Sequence, residues 1–141
     1  MRLKTLRADQ VSVGDELPPL DVPITPTLIV AGALASRDFQ DVHHDKDIAQ
    51  RSGSKDIFMN ILTTNGFVGR FVTDWAGPEA LLKKVAIRLG VPNYPDDTMR
   101  LTGTVTSKDA SGRVEIAIRG ANSLGDHVTG TITLTLPRGS S

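Results

Sequence analysis

Val128-Thr-Gly-Thr-Ile-Thr-Leu-Thr-Leu136 alternates without a break between aliphatic or glycyl positions and threonine. A period of two puts Val128, Gly130, Ile132, Leu134 and Leu136 on one face of a strand and the four threonines on the other, and β-branched side chains suit that pleated surface. The same rhythm continues toward the N-terminus. Val114, Ile116 and Ile118 alternate with Arg113, Glu115, Ala117 and Arg119, and Met99, Leu101, Gly103 and Val105 alternate with Arg100, Thr102, Thr104 and Thr106. Lys108-Asp-Ala-Ser-Gly112 and Asn122-Ser-Leu-Gly-Asp126 between them carry turn chemistry. Three strands joined this way form an antiparallel meander, dry on one face and wet on the other. Residues 81–90, with Val85, Ile87 and Leu89 in alternation, add a fourth strand, and residues 16–22 a short fifth.

Ahead of the meander the period changes. Thr25-Pro26 marks a helix start, with Thr as N-cap and Pro at the first helical position, for a helix reaching about residue 38. Asp45 caps a short helix over 46–51 that stops at Gly53. From about 60 to 75, Leu62, Phe67, Val68, Phe71, Val72 and Trp75 recur at helical spacing, and Ile61 widens the stripe. Gly66 and Gly69 each weaken this helix by about 1 kcal/mol relative to Ala, so close packing on a sheet is the expected reason for them. A sheet with one apolar face needs a cover and the long helix supplies it. The class is α+β, one domain over residues 1–141 with its core at about 17–136. Patterning gives the layers without choosing among helix-on-sheet folds.

Composition removes several function classes. Lys+Arg and Asp+Glu are 16 each, so the net charge is zero, which argues against nucleic-acid binding by phosphate neutralisation. The absence of cysteine excludes disulfides, thiolate–zinc sites and a cysteine nucleophile, and fits a cytoplasmic, reducing setting. The longest apolar run, residues 28–35, is far below the roughly 20 residues a membrane span needs, and no leader-like stretch follows the basic N-terminus. One Trp, one Tyr and four Phe leave the core to Val, Ile and Leu and give a ligand few stacking platforms.

The densest polar cluster is Arg37-Asp-Phe-Gln-Asp-Val-His-His-Asp45. It follows the first predicted helix and brings three carboxylates and two histidines into one loop. A carboxylate and an imidazole there can share a water, one taking its proton and the other returning one. The competing reading is a solvated loop whose Asp45 caps the next helix. A metal site on His43, His44 and Asp45 is not expected, because adjacent histidines diverge and no further ligands are near in sequence. No G-x-S-x-G or phosphate-binding glycine loop is present.

Asp38-Phe-Gln-Asp-Val-His-His-Asp45 resembles the D-x-N-P-[LIV]-H-x-D signature of the MaoC-like, R-specific enoyl-CoA hydratases. Ile57-Phe-Met-Asn-Ile-Leu62 is similar to the I-x-H-G-x-L opening of that family's central helix. Tyr94-Pro-Asp-Asp-Thr-Met99 resembles R-P-G-D-T-L, and Asn122-Ser-Leu-Gly-Asp-His-Val128 resembles N-x-x-G-x-x-V. The segments R-D-F-Q-D-V-H-H-D, V-T-D-W-A-G-P, R-L-G-V-P and L-G-D-H-V-T are further similar to small subunits of actinobacterial steroid side-chain enoyl-CoA hydratases, which pair with a second MaoC-like chain. The resemblance implies a hot-dog fold, an antiparallel sheet around a long central helix. It implies hydration of the trans-2 double bond of a bulky, steroid side-chain acyl-CoA to the 3-hydroxyacyl-CoA, with no cofactor beyond the thioester's own coenzyme A. Asp38 is the implied base that activates water. His43 is the implied holder of that water and proton donor to the α-carbon, and the backbone N–H of Asn60 the implied oxyanion donor at the central helix's N-terminus.

The chain departs from the motif at Arg37 (for Gly), Gln40 (for Asn), Asp41 (for Pro) and Met59-Asn60 (for His-Gly). Asp41 is a turn residue or a neighbour acting on His43. Arg37 pairs with Asp38 or Asp41 or, like Lys83, Lys84 and Arg88, meets a coenzyme A phosphate. Two other functions compete: a non-catalytic acyl-CoA-binding or scaffolding subunit of a heteromeric hydratase, and an acyl-CoA thioesterase. A small sheet with an open edge invites side-by-side pairing, as a homodimer or with a different MaoC-like chain.

Overall fold

A computed structural model describes residues 3–139. Its sheet has five antiparallel strands: β1 (Leu20–Pro23), β2 (Leu81–Leu89), β3 (Thr98–Lys108), β4 (Arg113–Asn122) and β5 (Gly125–Thr135). Their spatial order is β1-β3-β4-β5-β2, so the chain crosses the sheet between β2 and β3 and leaves β2 at an edge. Three helices precede the meander: α1 (Pro26–Ala35), α2 (Lys46–Arg51) and α3 (Ile61–Ala76).

The alternating residues of the meander meet in register. Ile116 lies opposite Ile132 and Val114 opposite Leu134, while Val105 faces Ile116 from β3. All are buried, and they form one cluster with Val68, Phe71 and Val72 of α3. This is the expected helix on the dry face of a sheet. Phe71 is the only buried Phe, Tyr or Trp among the described residues. Its room comes from Gly103, where a Cβ would sit 3.1 Å from Cε1 of Phe71. Bulges at Leu82/Lys84, Val105/Ser107 and Gly120/Ala121 bend the strands around that helix.

Local signals act as their chemistry dictates. The Thr25 hydroxyl accepts from the Leu28 N–H at 3.0 Å ahead of Pro26, and the Asp45 carboxylate accepts from the Ile48 N–H at 3.0 Å. Gly53 ends α2 at φ 96°. The expected strand over 16–22 is interrupted. A bridge forms at Glu16 opposite Thr104, then the strand resumes at Leu20, because Pro18 and Pro19 have no N–H to give a ladder. The first helix stops at Ala35 rather than 38, for a reason that defines the site.

The glycines of α3 overturn the packing expectation. No atom lies within 4 Å of a Cβ built on Gly66, and only Leu82 Cδ2, at 3.9 Å, approaches one on Gly69. The close approach is at Gly32 of α1, where a Cβ would fall 2.2 Å from Thr63 Oγ1 of α3. Gly66 instead lines an apolar groove of about 360 Å³ between α1 and α3, with Leu28, Ala35, Leu62 and Phe67.

Candidate active site

Helix α1 ends in a Schellman turn. Ser36 is the C-cap, the Arg37 N–H donates to Leu34 O at 3.1 Å, and the Asp38 N–H donates to Ala33 O at 2.9 Å. That turn needs a left-handed residue next after the cap, and Arg37 supplies it at φ 56°. The chain therefore reverses at Arg37 and delivers Asp38 to the N-terminus of α3. The Asp38 carboxylate accepts from the Gln40 N–H at Oδ1 (3.2 Å) and from the Asn60 side-chain amide at Oδ2 (3.1 Å). These bonds, the Asn60 bond foremost, hold its pKa below the usual 3.8 against a smaller opposing effect of desolvation, and the nearby His43 and His44 act in the same direction.

A 3-10 turn over Asp41–His43 carries the histidine inward. His43 is buried, and its Nε2 lies 3.3 Å from Asp38 Oδ2. Its Nδ1 lies 2.6 Å from Phe58 O, and the Phe58 ring meets the imidazole edge-to-face at 4.9 Å. A carbonyl only accepts, so Nδ1 carries a hydrogen. Nε2 is then an acceptor in the neutral ring and a donor to Asp38 in the imidazolium. His44 turns the other way, with Nε2 3.0 Å from the Asp38 carbonyl, and so ties the loop to itself.

Asn60 is the N-cap of α3 at φ −78° and ψ 160°, extended backbone open to any residue. Its backbone N–H donates to no acceptor among the described residues. It stands at a helix N-terminus, where unpaired N–H groups and the dipole favour negative charge. Asp38, His43, Asn60, Ile61 and His127 share a cavity of about 370 Å³ whose other walls include Phe58, Met59 and the Leu89–Pro92 segment. The pair and the free donor thus face one space, walled on its apolar side by Phe58, Met59, Ile61 and the Leu89–Pro92 segment.

Comparison with known proteins places the chain in a family. The MaoC like domain family matches residues 10–124, most of the chain. The chain belongs to the MaoC-like family. It is 55% identical over 124 residues, 88% of this chain and 95% of the other, to the 3-oxo-4,17-pregnadiene-20-carboxyl-CoA hydratase beta subunit of Mycobacterium tuberculosis. Its structure resembles a chain of the ChsH1-ChsH2 complex from Mycobacterium tuberculosis with a TM-score of 0.87 and 54% identity, covering 89% of this chain and 98% of that one. The R-hydratase PhaJ1 from Pseudomonas aeruginosa shares the fold, with a TM-score of 0.88 at 20% identity over 96% of this chain and 88% of that one. The hot-dog fold is thereby established.

Against the MaoC-like motif, two departures have a visible conformational consequence. Arg37 and Asp96 are the only non-glycine residues with positive φ among those described, at 56° and 67°, and both stand where the motif has Gly. Arg37 makes no ion pair with Asp38 or Asp41 among the described residues, contrary to one expectation for it, and Asp41 makes neither a hydrogen bond nor an ion pair with His43. Lys83, Lys84 and Arg88 lie exposed on β2, outside the cavity's lining.

Sequence reasoning missed the partners held in reserve around the pair: the Asn60 carboxamide, Ser36, and the carbonyl of Phe58. It also left His127 unassigned. That ring is buried, with Nδ1 2.6 Å from Val91 O and Nε2 2.8 Å from the Thr64 hydroxyl. Nδ1 therefore donates, and in the neutral ring that burial favours Nε2 accepts from the Thr64 hydroxyl. Burial pushes its pKa below 6.5, only partly offset by the Val91 carbonyl. The unfolded chain then binds a proton that the folded chain refuses, so stability is full above about pH 6.5 and falls as the solution is acidified below it. His127→Gln is expected to cost less stability at pH 5.5 than at pH 7.5 in urea unfolding. An equal cost at both would refute the neutral assignment.

Proposed function

We propose that this MaoC-like chain is the catalytic subunit of a heteromeric hydratase that adds water across the trans-2 double bond of a bulky, steroid side-chain acyl-CoA. The carrying observation is the Asp38–His43 contact of 3.3 Å on a cavity shared with the N-terminus of α3. The Asp38 carboxylate takes a proton from water as the water oxygen bonds to the β-carbon. The π electrons move to the thioester oxygen, where the Asn60 N–H stabilises the enolate. The His43 Nε2–H then protonates the α-carbon, and the thioester re-forms. Asp38 holds the extra proton and His43 lacks one, so return of that proton from Asp38 to His43 through a water resets the site. No step needs a metal or a cofactor beyond the thioester's own coenzyme A.

The β2 edge favours a partner of a different sequence. Val85 and Ile87 lie opposite Ile132 and Gly130 on the core face, so Lys84, Ala86 and Arg88 share the other face with Thr133, Thr131 and Thr129, of which Thr133 is buried although the alternation alone predicts it wet. Any two-fold antiparallel pairing of β2 with a copy of itself, centred between 84 and 88, sets a cation opposite or diagonal to a cation. Such neighbours disfavour pairing by roughly 0.2–1 kcal/mol each. A MaoC-like partner with carboxylates on its edge strand removes that conflict and covers the exposed Leu81 and Leu82. The related heteromeric complex supports the reading, as the cysteine-free sequence supports a cytoplasmic setting.

The test is a hydration assay on crotonyl-CoA and on a steroid side-chain enoyl-CoA, with this chain alone and with a copurified MaoC-like partner. The 3-hydroxyacyl-CoA is expected from the steroid substrate with the partner present. Release of free coenzyme A without hydration, or no turnover in any combination, would overturn the proposal.

A further inference from the structure

The Asn60 side chain is 2% exposed and has no spare hydrogen-bonding capacity. Oδ1 accepts from the Thr63 N–H at 3.1 Å and from the Thr63 hydroxyl at 2.5 Å. Nδ2 donates to Ser36 Oγ at 2.9 Å and to Asp38 Oδ2 at 3.1 Å. The amide cannot be turned over: the Thr63 N–H can only donate, so the oxygen must face it and the NH2 must face Asp38. Ser36 Oγ spends its own hydrogen on Gly32 O at 2.7 Å, which leaves it an acceptor for Asn60. One carboxamide thus ties the C-cap of α1, the first turn of α3 and the carboxylate between them.

We infer that the Asn60 carboxamide is a positioning residue for Asp38, fixing the carboxylate's orientation and deciding which member of the Asp38–His43 pair carries the shared proton. The inference rests on the reading of that pair as the catalytic one. A proton on Asp38 Oδ2 would have to displace the hydrogen bond from Asn60 or compete with it, whereas a proton on His43 Nε2 finds that oxygen still an acceptor. The Gln40 N–H occupies one site on Oδ1, so both carboxylate oxygens are held by fixed donors while Oδ1 keeps a lone pair for water. The groups facing Asp38 are then His43 and His44 from its own loop and Asn60 from α3. The helix-capping role and the Asp38 role use opposite ends of the amide, so they can be separated.

Asn60→Ser keeps a cap acceptor for α3 but is too short to reach Asp38. Asn60→Asp also caps the helix and replaces the donor with a second carboxylate. The measurement is the NMR titration of the Asp38 side-chain carbon in the whole chain, paired with the pH–rate profile of hydration in the complex. The Asp38 midpoint is expected to rise in Asn60→Ser and further in Asn60→Asp, by about one pH unit or a tenfold change in proton affinity. The acid limb of the rate profile should move with it, kcat should fall about tenfold or more, and KM should stay close to wild type. An unmoved midpoint in either folded variant overturns the inference. A midpoint that rises in a chain whose wild type hydrates nothing upholds the Asn60–Asp38 link and sinks the hydratase reading alone.

Discussion

Asp38→Asn and His43→Gln are each expected to lower kcat by about 10³–10⁴, near the upper end for loss of general acid–base catalysis. Asp38→Asn conserves shape and can still accept from the Gln40 N–H, but a new NH2 would confront the Asn60 amide that now donates to Oδ2. It has no basic oxygen to take the water's proton and none to return it to His43. His43→Gln can still reach toward the Phe58 carbonyl, yet it neither stores nor releases a proton. Because one proton circulates between the two groups, the double variant should be no slower than the worse single one. KM should change little, since neither side chain grips the coenzyme A. Single-turnover hydration with each variant in its complex, beside thermal melts, checks this. Either variant keeping more than about a tenth of wild-type kcat would contradict the assignment. Asp38 also gives a stability signature. Its folded pKa is depressed, so its contribution is complete above about pH 3.8 and is lost as pH falls through the folded value; Asp38→Asn should abolish that part of the acid dependence.

What was legible in the sequence was local. The threonine alternation from Thr129 to Thr135 led to a strand whose pairing sets Ile132 against Ile116, and Thr25, Asp45 and Gly53 capped the helices they flank. The Asp38–His43 pair was legible because its members belong to one loop and one motif. The remainder was hidden for a common reason. All three histidines are oriented by backbone carbonyls, of Phe58, Asp38 and Val91. Every residue has a carbonyl, so residue type says nothing about which one a ring will meet. The end of α1 was misplaced because the left-handed turn residue is Arg37, where a glycine would have announced it. Pro18 and Pro19 were visible, but only the pairing of Glu16 with Thr104 shows that the strand resumes beyond them.

The glycines of the α1–α3 contact carry the second large effect, and they divide by sign. Gly32→Val is expected to cost about 2–3 kcal/mol through overpacking, roughly a 10 °C fall in Tm for a chain of this length. A Cβ there would lie 2.2 Å from Thr63 Oγ1 and 2.9 Å from its methyl carbon, and the side chain continues beyond that point. Relief requires either parting the helices or turning Thr63 away. Turning it away breaks its 2.5 Å bond to Asn60 Oδ1 and loosens the amide that holds Asp38, so kcat should fall along with Tm. Gly66→Ala, on the same groove, meets no atom within 4 Å and should instead gain about 1 kcal/mol of helix propensity. Differential scanning calorimetry of the two variants separates a steric lock at Gly32 from a general demand for small residues between these helices. If Gly66→Ala destabilised as Gly32→Val does, the groove would have to be a packed contact. If Gly32→Val lowered Tm without touching kcat, Thr63 would not be the link through which the helix contact reaches the carboxylate.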